Sequence, residues 1–491
     1  MDHAQAPVLD ALAAYRLRGE LGYSPPGHKQ ARGADPLVRE ILGDAVFHAD
    51  VLATGGLDDR RSTGRVLARA EELMADAVHA DRAFFSTCGS SLSVKAAMLS
   101  VAGPHQKLLV GRDAHKSVVS GLILSGVEPV WVEPGWDRER RLAHPPAART
   151  FEEAFERHPD ARGALVTSPT PYGGSAALDE IAEVCHARSR PLIVDEAWGA
   201  HLPFHDDLPS WAMDAGADVC VTSIHKMGSG LEQGSVFHLR GDLIDPTVLQ
   251  TRADLLGTTS PSALIYAGMD GWRRQMVQHG HALMDDALAL AAETRAEIEK
   301  IPGMHVNGRE DFVGPGLAAD LDPLPVIIDI SALGTTGYRA ADWLRERHGI
   351  DLHLADHRRI GAQLTHADSR VTTAPLLTAL RALADHAPAL TDAPRVRVPT
   401  PEELRMDQVL LPRDAYFGPV EDVPVEKAAG RIAAEMITPY PPGIPAVLPG
   451  ERLTEPVLAY LRTGLEAGMN LPDCADPELG TVRVSSERAG D

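Results

Sequence analysis

Cysteine is scarce in this chain. Four are present among 491 residues, Cys88, Cys185, Cys220 and Cys474, with no CxxC pair and no Cys/His cluster at zinc-ligand spacing. A disulfide framework and a structural zinc are therefore not expected. Positive charge is also short: 47 Lys and Arg stand against 69 Asp and Glu, a formal net charge of −22. Phosphate backbones and anionic lipid surfaces are held by clustered cations, so neither a nucleic acid nor a membrane is expected as a partner. The acidic balance suits solubility, and it also suits attraction of a cationic substrate. Long apolar runs are missing. The longest candidate, Val118 to Val132, is broken by Ser120, Gly121, Ser125, Gly126, Glu128 and Pro129, and a membrane helix needs ~18–20 apolar residues. The first residues, MDHAQAPVLDALAAYRLRGE, lack the basic start and apolar core of a secretion signal. These absences together point to a reducing, cytoplasmic setting. No internal repeat or low-complexity tract interrupts the chain.

What remains is an ordinary globular composition, 44 % hydrophobic and 24 % charged. Residues 1–58 read as an N-terminal arm, with a helix over Val8–Glu20 leading into the loop SPPGHKQARGADP. Residues 59–300 read as a large domain in which short apolar runs alternate with helical stretches. Seven strands are predicted there: Ala83–Ser86, Lys107–Val110, Glu128–Val132, Gly163–Thr167, Pro191–Val194, Asp218–Thr222 and Gly234–Leu239. Helical patterns such as Leu178–Arg188 sit between most of them, which implies an α/β fold with a mostly parallel seven-stranded sheet. The polar segment 133–150 reads as a mobile loop, and residues 254–299 as long helices. Residues 301–395 read as a small α/β domain, with strands Val326–Ile330 and Ile350–Leu354 and helices Tyr338–His348 and Ala374–Ala387. Residues 396–491 read as a C-terminal α+β domain carrying the Pro-rich run TPYPPGIPAVLPGE.

Ligands of parallel sheets bind in loops at the carboxyl ends of strands, and four features lie in such loops. Ser223-Ile224-His225-Lys226 follows the strand Asp218–Thr222 and precedes the Gly-rich stretch MGSGLEQG. A Lys at the mouth of a sheet can form a Schiff base with an aldehyde cofactor. Asp195 ends the strand in PLIVDEAWGAHL; a carboxylate there can keep a pyridine nitrogen protonated, so that the ring draws in electrons. Ser86-Thr87-Cys88-Gly89-Ser90-Ser91 joins a strand to a helix beginning near Leu92, and hydroxyls with free N–H groups at a helix start hold phosphate. His115, in GRDAHKSV, offers a ring to stack on a flat cofactor. Each alone has a bland reading: a solvated Lys, a capping Asp, a Ser-rich cap, a surface His. Taken together and in this chain order, phosphate cup, stacking ring, acid and Schiff-base Lys match the layout of fold type I pyridoxal 5'-phosphate (PLP) enzymes.

The resemblance extends further. PPGHK, DAHKS, TSPTPYGG, VDEAWGAH, SIHK and PYPPGIPAVLPGE together resemble the Orn/Lys/Arg decarboxylase family from Pro25 to Glu451. The chain is similar to its shorter, biosynthetic-type members, which lack an N-terminal wing domain. The resemblance implies that Lys226 is the Schiff-base residue and that Asp195 pairs with the ring nitrogen. It also implies that His115 stacks on the ring, and that Ser223, His225, Ser90 and Ser91 approach the phosphate. Trp198 and His201 lie beside Asp195, either on the cofactor or as packing. Ser168 and Tyr172 stand where this superfamily lines the cofactor face, Tyr172 also toward the substrate. Thr259 and Ser260 are implied to reach a neighbouring subunit's phosphate in a homodimer or larger homo-oligomer. Glu451 is the candidate reader of a cationic side chain, or else a cap of the following helix.

The sequence also departs from the family. Where the family commonly continues after the Lys with a Thr-Leu-Pro-like run, this chain reads Met227-Gly228-Ser229-Gly230-Leu231-Glu232. The glycines are expected to widen or loosen the site, and Glu232 replaces the more usual hydroxyl residue. Lys95 stands where an amide is often found. The implied reaction is decarboxylation of a basic L-amino acid, arginine first, then lysine or ornithine. An aminotransferase or an oxygen-using oxidase on the same scaffold, or an inactive homologue serving as a binding partner, stay open at this point.

Overall fold

The computed structural model describes residues 1–19, 21–52, 64–390, 394–440 and 442–486. The expected boundary at 58/59 lies outside the described residues. The first part of the chain runs α1 (Pro7–Arg18), α2 (Pro36–Leu42), α3 (Asp44–Ala49), α4 (Val66–Ala77), β1 (Arg82–Ser86), α5 (Gly89–Val101), β2 (Lys107–Gly111), α6 (Lys116–Ser125) and β3 (Glu128–Val132). It continues with β4 (Gly135–Asp137), β5 (Leu142–His144), α7 (Ala148–Arg157), β6 (Ala164–Thr167), β7 (Gly174–Ser175), α8 (Leu178–His186), β8 (Leu192–Asp195), β9 (Val219–Ser223), α9 (Ile224–Met227), β10 (Ser235–Leu239), α10 (Pro246–Leu256) and α11 (Ala263–Ile298).

Among the described residues, the largest sheet has seven strands in the order β1-β10-β9-β8-β6-β2-β3. Its strands are buried along nearly their whole length, as continuous apolar runs such as ALVT and LIVD require when both faces are covered. The pairs β8–β9, β2–β6 and β2–β3 are parallel, and β10 runs antiparallel to both β1 and β9. The register fixes one working edge. Ser86 of β1 faces Ser235 of β10, Ser235 faces Ser223 of β9, and Asp195 of β8 faces Val221 of β9. The carboxyl ends of β1, β8 and β9 therefore open side by side.

Contacts group the chain into two compact units, residues 1–101 with 185–283 and residues 102–184 with 284–491. In the first unit the N-terminal arm is pinned by a buried ion pair on α11. The Asp270 carboxylate accepts from the Val8 N–H (2.8 Å) and from Arg273 (3.0 Å), and Arg273 also donates to the carbonyls of His3 and Gln5. A fully buried guanidinium is tolerable because its donors meet a carboxylate and carbonyls.

In the second unit, a four-stranded antiparallel sheet contains Pro325–Asp329 and Arg359–Gln363. The strand expected at Ile350–Leu354 shrinks to Leu354–Ala355, and Arg359–Gln363 was not expected. Gly361 hides that strand in the sequence. A Cβ there would lie 2.7 Å from the His353 ring and 3.1 Å from Ile327, so close packing demands the residue that breaks the strand pattern. Segment 133–150 is also not a mobile loop. It folds into the β4–β5 hairpin, where Arg140 pairs with Asp137 (3.1 Å) and Asp311 (2.5 Å). Arg140 and Asp137 are engaged within the protein, while Arg138 and Glu139 remain exposed. The C-terminal residues form the expected α+β arrangement: strands Val420–Pro424 and Thr481–Ser485 pair antiparallel, and Glu455–Glu466 is a helix. No helix among the described residues is long and apolar enough to cross a membrane.

Candidate active site

The first unit contributes the densest cluster. Lys226 sits on the single turn α9, immediately after β9. Its Nζ lies 4.2 Å from the centre of the Trp198 ring, which belongs to the loop after β8. Burial lowers the Lys226 ammonium from its ordinary range, while Asp195 and then Glu232 draw it back up. A lysine biased toward the free amine is a competent nucleophile for a carbonyl. His225 beside it is oriented by its Nδ1, 3.0 Å from the Gly234 carbonyl. A carbonyl only accepts, so Nδ1 carries a proton and Nε2 is turned toward Glu232, 3.9 Å away.

Asp195 is buried and accepts one backbone hydrogen bond, from the Ala197 N–H at 3.3 Å. Burial raises its carboxyl above the usual range, against the pull of Lys226. Glu196 next to it is fully buried, accepts from the Cys220 thiol (3.1 Å) and the Ala212 N–H (3.3 Å), and is pushed well above the ordinary carboxyl range by burial. Burial disfavours the charged form of such a carboxyl, and Glu196 is bonded inside the first unit to Cys220 and Ala212. His201, in the same loop, is fully buried.

Helix α5 begins at Gly89, three residues earlier than the sequence suggests, so Ser90 and Ser91 lie in its first turn. The first N–H groups of a helix have no partner inside it. Gly89 gives its own to the Gln233 carbonyl (2.9 Å), which ties the helix start to the loop after Lys226. A buried Ser93–Ser235 contact (3.0 Å) reinforces that tie. Ser223 is fully buried and its Oγ has no hydrogen-bond partner. Thr259 and Ser260 are exposed on the α10–α11 connection, and Thr259 lines a pocket with Ser86, Thr87 and Cys88.

The remaining predicted residues belong to the second unit. His115 caps α6: its Nδ1 accepts from the Ser117 N–H (3.2 Å), which leaves the proton on Nε2 of the neutral ring. Gly443 packs against this ring, where a Cβ would approach within 3.0 Å. Ser168 precedes a cis proline and accepts from the Ala176 N–H (3.0 Å). Tyr172 is buried and donates its hydroxyl to Asp356 (3.1 Å), which also binds Arg359 (3.1 Å). Its hydroxyl is thus engaged inside the protein, and the substrate-facing role expected of it is not supported.

Glu451 requires a plainer correction. It is 1 % exposed, and its carboxylate accepts from Arg112 (3.1 and 3.3 Å) and from the Leu448 N–H (2.8 Å). Arg112 also donates to the Pro445 carbonyl (3.0 Å). The pair anchors the Pro-rich run to the end of β2, which leaves Glu451 already neutralised rather than waiting for a cationic substrate. Glu451→Gln should lower stability by about 2 kcal/mol, because it removes the buried carboxylate that pairs with the half-buried Arg112 guanidinium. Thermal unfolding will show the loss, and discrimination among amino acids should not change. Arg112 was missed because its partner is distant in sequence.

The loop after Lys226 also differs from expectation. A Cβ on Gly228 would lie 2.6 Å from the Ile224 carbonyl and 2.8 Å from the Trp272 ring, and one on Gly230 would lie 2.9 Å from Ile224. The glycines let the loop press onto α9 and α11. They tighten the site rather than loosen it.

Two family models match the chain: Orn/Lys/Arg decarboxylase, major domain, over residues 6–313, and Orn/Lys/Arg decarboxylase, C-terminal domain, over residues 402–488. The chain belongs to the Orn/Lys/Arg decarboxylase family. It is 37 % identical to an arginine decarboxylase of Halalkalibacterium halodurans, over 98 % of each chain. It is 34 % identical to an arginine decarboxylase of Bacillus subtilis, over 99 % of each. The lysine decarboxylase of Francisella novicida shares the fold, with a TM-score of 0.77 at 20 % identity over 99 % of this chain and 80 % of that one. This family member is a PLP-dependent decarboxylase. The residues of the first unit suit that cofactor: among the described residues, Ser223 Oγ is a buried hydroxyl lacking a partner, and Asp195 is a buried carboxyl with no cation bonded to it. The donors a phosphate would meet and the acceptor a pyridine N–H would meet stand on the same sheet edge as Lys226.

Proposed function

We propose that this chain decarboxylates a basic L-amino acid to the corresponding amine and carbon dioxide, with arginine the first choice of substrate, ahead of lysine or ornithine. The observation that carries this reading is the likeness to arginine decarboxylases along nearly the whole length of both chains, joined to the Lys226–Asp195 pair at the sheet edge. When bound, PLP supplies the electron sink for the bond broken at the α-carbon. Lys226 Nζ would hold the cofactor covalently, and burial, which weakens its ammonium, favours the free amine that this attachment needs. Asp195 accepts the ring N–H; with a cation against it, the carboxylate is retained and its charge keeps that nitrogen protonated. Ser223, His225, Ser90 and Ser91 hold the phosphate.

His115 stacks on the ring, and its cap on α6 fixes that ring's orientation. Ser168 lines the cofactor face, while Trp198 covers the Lys226 side. Thr259 and Ser260 reach the phosphate of a neighbouring copy in a homodimer, and the enzyme works in the cytoplasm. The test is product analysis by mass spectrometry, with arginine, lysine and ornithine supplied separately, PLP added and no keto acid present. An amine lacking only carbon dioxide, formed fastest from arginine, is the expected result. A keto acid or an oxygenated product overturns the proposal in favour of transfer or oxidation.

A further inference from the structure

Glu232 is the departure from the family that the fold presents most directly to the site. Its carboxylate is on the loop that leaves Lys226, and its side chain is 90 % exposed. Four contacts fix the loop's path. Gly228 packs on Ile224 and Trp272, Gly230 packs on Ile224, the Gly234 N–H donates to the Leu231 carbonyl (3.0 Å), and the Gln233 carbonyl accepts from Gly89 (2.9 Å). Glu232 thereby adjoins the residue bonded to the start of α5, and its carboxylate lies 3.9 Å from His225 Nε2. The His225 ring cannot turn away without losing its contact with the Gly234 carbonyl.

This is the neighbourhood to which the proposed function assigns the cofactor's phosphate, and the inference rests on that assignment. The α5 start, the Ser223 hydroxyl and His225 favour an anion there. A carboxylate at the same rim opposes one, since like charges repel. We infer that Glu232 competes with the cofactor phosphate for the His225 face and the α5 start, and so gives this enzyme a weak, salt-dependent hold on PLP. A hydroxyl residue at this position, the more usual choice in the family, would donate to the phosphate instead.

The experiment is a titration of cofactor-free full-length protein with PLP, following both equilibrium dialysis and the Lys226-dependent absorbance band. Glu232→Gln and Glu232→Thr should each tighten binding about three- to tenfold at low ionic strength. The advantage should shrink in ~1 M salt, where the screening length falls to about 3 Å. Gln preserves the size of the side chain and Thr restores the hydroxyl, so agreement between them separates charge from shape. Unchanged or weaker PLP binding in both variants, beside a wild-type protein that forms the band, overturns the role of Glu232 alone. A wild-type protein without any Lys226-dependent band overturns the site reading beneath it.

Discussion

Lys226→Ala should abolish the cofactor's Schiff-base absorbance and lower turnover by on the order of 10⁴-fold or more. The size of the effect follows from the role proposed for one nitrogen: Lys226 Nζ would be the cofactor's covalent attachment. Its surroundings suit attachment, since burial weakens the ammonium, Trp198 covers it at 4.2 Å, and Asp195 stops the shift from running further. Absorbance titration with PLP checks the first half of the prediction and product formation the second. A variant that keeps the wild-type spectrum would show that another residue holds the cofactor. Since α9 is a single turn with Ile224 and Met227 buried on either side, the fold should survive the change, and circular dichroism should be unaltered.

Asp195→Ala should lower turnover by on the order of 10²–10³-fold, as expected when a fixed charge opposite a reacting group is removed. It should at the same time stabilise the cofactor-free protein. Burial raises the Asp195 carboxyl above its ordinary value of 3.8, so the folded state binds its proton more tightly than the unfolded state does. The stability this group contributes is fully present below that ordinary value and is lost as pH rises through the raised one. At neutral pH the wild-type protein therefore carries an unfavourable buried carboxyl that the alanine variant lacks. The variant's Tm should exceed the wild-type Tm near neutral pH, and the gap should close as pH falls toward 4. A lower Tm at neutral pH would mean that Asp195 supports the fold and not the ring nitrogen. Loss of activity with gain of stability is the mark of a residue kept for chemistry.

Much of this was legible in the residues. All seven strands of the main sheet lie within about a residue of their predicted positions, because LIVD, ALVT and VCVTS are apolar runs too short for helices and buried on both faces. Asp195, Ser223 and Lys226 could be singled out because a parallel sheet sends its strand ends to one edge. Wherever two distant segments meet, the sequence misled. Glu451 looked like a free acid until Arg112 was found against it. Tyr172 looked available until Asp356 took its hydroxyl. Segment 133–150 looked mobile until Arg140 was found paired with Asp311, far along the chain.

The sequence by itself determined the α/β architecture through local periodicity, and short motifs at strand ends carried the resemblance that implied the family and the cofactor. Only the tertiary structure decided which of the acids are spoken for. Glu196 is enclosed and bonded to Cys220 and Ala212, Glu451 is matched by Arg112, and Glu232 stands exposed beside His225 on a loop whose glycines pack too closely for a side chain. Charge and hydrogen-bond partners depend on burial and on contacts between residues far apart in the chain, and no local pattern encodes either.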